Sequence, residues 1–160
     1  MAKKIILISL LLTVCFSAQV FAQGQLIKNP KPAPDFMLSD LKGKQFTLSQ
    51  YKDKQPVLLV LWTTWCPYCR QQLSFLKEKA VDLKKDKIEL LAIDVAEDER
   101  KVASFVDTFA IDYIVLLDKN ATVADSFNLL GVPTYILINK HGQIVYNDNV
   151  FPKDYKKLVS

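Results

Sequence analysis

Val57-Leu-Leu-Val-Leu-Trp-Thr-Thr-Trp-Cys-Pro-Tyr-Cys69 joins two patterns that decide the fold of this 160-residue chain. Val57–Trp62 is a continuous apolar run rich in β-formers and too short for a helix, which predicts a strand buried on both faces. From about Pro67 to Lys84 the period changes. Leu73, Leu76, Ala80 and Leu83 recur on one helical face with lysines elsewhere, and Pro67 suits the first helical position, where its missing N–H costs nothing. Cys66 therefore stands at a helix N-terminus, before unpaired backbone N–H groups and the positive end of the helix dipole. Both favour a thiolate. Cys69 follows by three residues, nearly one turn, within reach of a disulfide with Cys66. In such a pair the first sulfur attacks and the second resolves the mixed disulfide.

Reading outward, strands and helices alternate. Ile88–Val95 and Tyr113–Leu117 read as strands, Glu97–Phe109 as a helix carrying Val102, Phe105, Val106 and Phe109 at helical spacing, and Ala121–Phe127 as a short helix. Thr134–Asn139 and Gln143–Asn147 form a hairpin turning at His141-Gly142, and Pro152–Val159 closes the chain as a helix. Upstream, Phe36–Leu38 and Gln45–Leu48 flank a turn at Gly43 and make an N-terminal hairpin. Residues 23–34, with Pro30, Pro32 and Pro34, read as an extended leading segment, and residues 35–160 as one domain. The pattern predicts an α/β fold, a central mixed β-sheet flanked by helices. In such sheets chemistry gathers where strands end and helices begin, which is where Cys66 lies.

The N-terminus has a different composition. Lys3 and Lys4 precede the apolar run Ile5–Val14, and Val20-Phe-Ala22 offers small or aliphatic residues where a signal peptidase reads. Residues 1–22 are expected to be a signal peptide cleaved before Gln23. A retained anchor is the alternative, although Ser9, Thr13, Ser17 and Gln19 dilute Ile5–Ala22. A lipid-modified Cys15 would want a small residue where Val14 stands. Each version places the domain in the periplasm or otherwise outside the cytoplasm. Without Lys3 and Lys4, 19 of the 21 basic groups face 17 acidic ones, so no nucleic-acid partner is indicated. Loss of the leader leaves only Cys66 and Cys69, which excludes a multiply stapled disulfide scaffold. A zinc site needs four ligands and only His141 remains, so neither metal nor cofactor is expected. A static disulfide would close only a short loop and constrain little chain entropy. Thr63-Thr-Trp-Cys66 also fits the T-x-x-C of peroxide-reducing peroxiredoxins, but the proline that they place seven residues before the cysteine is Leu59 here.

Trp62-Thr-Thr-Trp-Cys-Pro-Tyr-Cys69, with Gly131-Val-Pro-Thr134 about 65 residues later and Gly142 beyond it, resembles the thioredoxin superfamily. It is most similar to exported thiol–disulfide oxidoreductases of the TlpA/ResA type. Pro32-Ala-Pro-Asp-Phe36 and Leu116-Leu-Asp118 extend the resemblance over residues 30–157. The resemblance implies a thioredoxin-like fold, with Cys66 and Cys69 catalytic and Pro133 as a cis-proline that holds a substrate backbone near the cysteines. It implies that Trp65, Pro67, Tyr68 and Val132 line the substrate groove, whereas Trp62 reads as core. The partners implied are protein disulfide or dithiol substrates and a membrane thiol–disulfide electron donor, serving reduction in cytochrome c maturation or disulfide correction. A disulfide-donating oxidase and a redox-inert peptide-binding module are the alternatives, and a monomer is expected. The chain departs from the pattern at three positions. Val60 stands where thioredoxin keeps a buried acid, and Gln72 and Ser74 replace the glutamate and proline of many exported relatives. Deprotonation of Cys69 is left to water or to a more distant acid such as Asp94.

Overall fold

The computed structural model describes residues 26–160, so the leader expected over residues 1–22 lies outside the described residues. The strands are β1 Leu26–Pro32, β2 Met37–Asp40, β3 Gln45–Thr47, β4 Val57–Trp62, β5 Glu89–Val95, β6 Ile114–Asp118, β7 Thr134–Ile138 and β8 Gln143–Asp148. The helices are α1 Pro67–Lys85, α2 Glu99–Thr108, α3 Thr122–Ser126 and α4 Tyr155–Val159, with a 3₁₀ turn at Leu48–Tyr51. The eight strands form one mixed sheet in the order β1-β8-β7-β4-β5-β6-β2-β3. β4, β5 and β6 run parallel, β7 pairs antiparallel with β4, and the β2–β3 hairpin pairs antiparallel with β6.

All six residues of β4 are buried because the sheet is covered on both faces, and alternation divides them between two cores. Leu58, Val60 and Trp62 join Leu90 and Ala92 of β5 beneath α1 and α2, together with Cys69, Leu73, Leu76, Leu83 and Val102. Leu59 and Leu61 join Leu91, Ile93 and Leu116 on the other face, with Phe36 and Phe46 of the hairpin and Val123, Ala124 and Phe127 around α3. The buried stripe of α1 is Cys69, Leu73, Leu76 and Leu83, and Ala80 is only partly covered. On α2, Val102 is buried and Phe109 is substantially exposed.

Part of the extended leading segment is a strand of the sheet. Residues 26–32 form β1, which pairs antiparallel with β8 through a register shift between Leu26 and Lys31. Lys28, Asn29, Pro30, Lys31 and Pro32 carry no apolar alternation, so only the backbone pairing makes this edge visible. Prolines and lysines at a sheet edge also discourage pairing with another chain.

Candidate active site

Cys66 is the N-cap of α1, with extended backbone (φ −79°, ψ 111°) and Pro67 next at the first helical position. Its Sγ accepts the backbone N–H of Cys69 at 3.1 Å, which satisfies one of the donors that a helix start leaves open. The same sulfur lies 3.7 Å from the Val132 carbonyl oxygen, to which the thiol donates. Val132–Pro133 is a cis peptide bond at the start of β7, so the loop before that strand meets the start of α1. Both cysteines are free thiols.

The two sulfurs differ in surroundings. Cys66 is buried but keeps 6% exposure at the helix start, whereas Cys69 is fully enclosed in the core beneath α1. Burial pushes the Cys69 thiol up to about 12, helped by its hydrogen bond to Cys66 and by charge there, against a donated Thr63 N–H. Beside Cys66, Trp65 is 63% exposed and Tyr68 48%. Pro67 is exposed and Val132 half-buried. The structure thus gathers Trp65, Pro67, Tyr68, Val132 and Pro133 about Cys66. Trp62 is fully buried, its ring tilted against Phe105 with centroids 5.2 Å apart, as expected of a core aromatic. His141 lies in the β7–β8 turn, past the end of β7 remote from Pro133.

Two networks that the sequence did not announce hold the loops around the pair. Thr64 is gripped by Glu97, whose carboxylate accepts both the Thr64 N–H and its hydroxyl, the latter at 2.7 Å. Arg70 Nε donates to the Thr64 carbonyl at 3.1 Å, and Lys101 Nζ pairs with Glu97 at 2.6 Å. On the other side Asn149 donates to the Pro133 carbonyl at 2.7 Å and to Thr134 Oγ1 at 3.1 Å. The Thr134 hydroxyl in turn donates to the Gly131 carbonyl. Glu97 is 33 residues from Thr64 and Asn149 is 16 from Pro133. The only sequence sign of the first contact is an acid just beyond a strand that runs parallel to β4.

Gln72 stands one turn after Cys69, as its spacing predicts, and its Oε1 accepts the hydroxyl of the fully buried Tyr135 at 2.8 Å. Asp94 ends β5 in register with Trp62 and is 1% exposed. Burial, then a hydrogen bond to Glu97 and the charge on Glu97, raise its carboxyl to about 8. Burial also works against the charge on Glu97. The hydrogen bonds from Lys101 and Thr64 outweigh it and hold that carboxyl below the ordinary range.

Residues 30–147 match the AhpC/TSA family. Thiol-disulfide oxidoreductase ResA of Halalkalibacterium halodurans is 33% identical over 138 residues, which cover 86% of this chain and 78% of that protein. ResA of Bacillus subtilis is 32% identical over 126 residues, covering 79% and 70%. Among solved structures, the thioredoxin domain of a thiol-disulfide oxidoreductase from Bacteroides vulgatus superposes with a TM-score of 0.73 at 22% identity. The alignment covers 84% of this chain and 99% of that one, and it shows the fold. Given this fold and a reduced cysteine pair at a helix start, the chain belongs to the AhpC/TSA family, as a thioredoxin-like thiol–disulfide oxidoreductase.

Proposed function

We propose that this oxidoreductase acts as a reductant of protein disulfides outside the cytoplasm, in disulfide correction or cytochrome c maturation, and is recharged by a membrane thiol–disulfide electron donor. The burial of Cys69 carries the direction. An oxidase must expel its second cysteine as a leaving thiolate when a substrate thiolate attacks Cys66, and a thiol pushed up to about 12 leaves poorly. In the opposite direction the same sulfur, once deprotonated, is a strong nucleophile, so closing the Cys66–Cys69 disulfide is favoured.

The reaction proceeds in two exchanges. The Cys66 thiolate attacks one sulfur of the substrate disulfide, and the other substrate sulfur leaves as a thiolate and takes a proton. Cys69 gives up its proton and attacks Cys66 Sγ, which releases the second substrate thiolate. The substrate gains two electrons and the enzyme becomes a disulfide. Trp65, Tyr68 and Val132 would hold the substrate chain beside Cys66, with Pro133 and Pro67 shaping the groove floor. The enzyme works as a monomer in this reading. The basic and apolar leader supports export, and among the described residues no helix is long and apolar enough to cross a membrane. The buried position of Leu59 within β4 gives no support to a peroxide pocket built on a proline there.

An insulin-reduction assay with dithiothreitol tests the activity without knowledge of the partner. The wild-type chain should accelerate precipitation of the insulin B chain and Cys66→Ser should not. Equal rates with and without the chain would leave a redox-inert binding module.

A further inference from the structure

The loop that carries Val132 and Pro133 to the cysteines is held by side chains. Among the described residues, no backbone hydrogen bond outside the sheet and the helices reaches residues 130–133. Three successive carbonyls of the loop are met by three side chains instead. The Thr134 hydroxyl donates to the Gly131 oxygen at 2.7 Å, the Cys66 thiol to that of Val132 at 3.7 Å, and Asn149 Nδ2 to that of Pro133 at 2.7 Å. The same Asn149 nitrogen donates to Thr134 Oγ1 at 3.1 Å, so it holds the hydroxyl that holds Gly131. A carbonyl only accepts, which fixes the Asn149 amide with its nitrogen toward the loop. Asn149 is itself held firmly. Its N–H donates to Asp148 Oδ1 at 2.6 Å, and the Tyr146 hydroxyl donates to the Val150 carbonyl at 2.6 Å. Two residues on, the buried Phe151 packs edge-on against Phe75, Tyr135 and Tyr155. Asp148 pairs in register with Tyr135, so this turn runs beside the first residues of β7.

Attack removes one of these three holders. Once the Cys66 sulfur is a thiolate, or is joined to a substrate sulfur, it has no S–H to donate, and the Val132 carbonyl loses that partner. At the same moment the loop must keep its shape, because Val132 is where the proposed groove meets the substrate chain. Among the described residues, Thr134 and Asn149 are then the side chains still donating to the carbonyls of the loop. We propose that Asn149 is a positioning residue for the substrate, holding the Gly131–Thr134 loop in its groove-forming shape while Cys66 reacts. Asn149 supplies no group to the reacting sulfurs and acts through the loop alone. Its one amide serves two carbonyls, that of Pro133 directly and that of Gly131 through Thr134, so losing it releases both. A loop displaced by about 1 Å would present Val132 wrongly to a bound chain, and misplacement of that size can cost about 10²-fold in rate.

The proposal rests on the reductant reading, and one experiment separates the two. The probe is a short peptide whose cysteine is joined by a disulfide to an aromatic thiol that absorbs visible light once released. In the reduced full chain the Cys66 thiolate attacks the peptide sulfur, the disulfide of the probe breaks, and the aromatic thiolate leaves with the electron pair. Release is followed against peptide concentration. Asn149→Ala should raise the half-saturating concentration about tenfold, while alkylation of Cys66 by iodoacetamide, which needs no groove, stays within about twofold. Thr134→Val should act in the same way, and the double variant should lose less than the product of the two separate effects. Thr134→Ser, which keeps the hydroxyl, should stay close to the wild type. An unchanged half-saturating concentration in Asn149→Ala, equal slowing of peptide exchange and alkylation, or fully multiplicative effects overturns the proposal. A wild-type chain that releases no aromatic thiolate from the peptide overturns the reductant reading instead. A measurement on the wild type needs no variant. The Asn149 side-chain amide should give two separated proton NMR signals, slow to exchange with solvent, both in the reduced chain and after alkylation of Cys66. Signals that collapse to solvent-exposed values on alkylation contradict the holding role.

Discussion

Cys66 and Cys69 bear the same thiol three residues apart, and their surroundings differ in a way that suits them to the two proposed roles. Cys66 lies at the helix start, slightly exposed, with an N–H donated to its sulfur. Cys69 is enclosed with its thiol pushed up, and in the proposed reaction it acts as a nucleophile only after a mixed disulfide has formed next to it. Replacing Cys69 by Ser should therefore leave the first exchange intact and accumulate mixed disulfides with protein partners, seen as slower bands on a non-reducing gel. Cys66→Ser should accumulate none, and the reverse pattern would exchange the two assignments. At this scale the proposed roles rest on order and on the helix start, and Trp62 read correctly as core. The grips of Glu97 on Thr64 and of Asn149 on Pro133 were not legible, because they span 33 and 16 residues and belong to no local pattern. The Gln72–Tyr135 hydrogen bond crosses 63 residues, and only its α1 end could be placed in advance.

The carboxyl ends of β4 and β5 and the start of α1 form the element on which the site depends. Trp62 and Asp94 are paired there, and the loop to Cys66 is tied to Glu97 and Arg70. A buried acid at this junction has a cost that depends on pH. The folded-state value for Asp94 is about 8, above the ordinary value of 3.8 that it recovers on unfolding. Between these limits the native state keeps a proton that the unfolded chain has lost. The contribution of Asp94 to stability is thus complete below about pH 4 and declines as pH rises through about 8. In chemical denaturation Asp94→Asn, whose amide still donates to Glu97, should match the wild type near pH 4. It should become the more stable protein above pH 8, by on the order of a few kcal/mol. Parallel stability curves from pH 4 to pH 8 would contradict the buried, protonated carboxyl. The central elements were legible from their periods, since a six-residue apolar run and a helical stripe of leucines each have one reading. β1 was not, because Leu26–Pro32 pairs through backbone alone, and the 3₁₀ turn at Leu48–Tyr51 has no apolar period to mark it.

At the scale of the molecule, the sheet order places the antiparallel β7 against β4, so the loop holding Pro133 arrives beside the helix that begins at Cys66. The alternation of strands and helices made the mixed sheet and its N-terminal hairpin readable, whereas the pairing of β2 with β6 depends on contacts no segment encodes alone. The redox potential is a property of this whole arrangement, because it measures how much more the fold favours the disulfide than the dithiol. For a two-electron couple, about 30 mV corresponds to about 1.4 kcal/mol. In the proposed direction, enclosing Cys69 disfavours its thiolate and so supports release of electrons to a substrate. The most direct test is to equilibrate the chain in thiol–disulfide buffers of known potential and measure the fraction carrying the Cys66–Cys69 disulfide. A midpoint near about −270 mV is the result expected of a reductant, and one near about −120 mV, the range of a disulfide donor, would contradict the account.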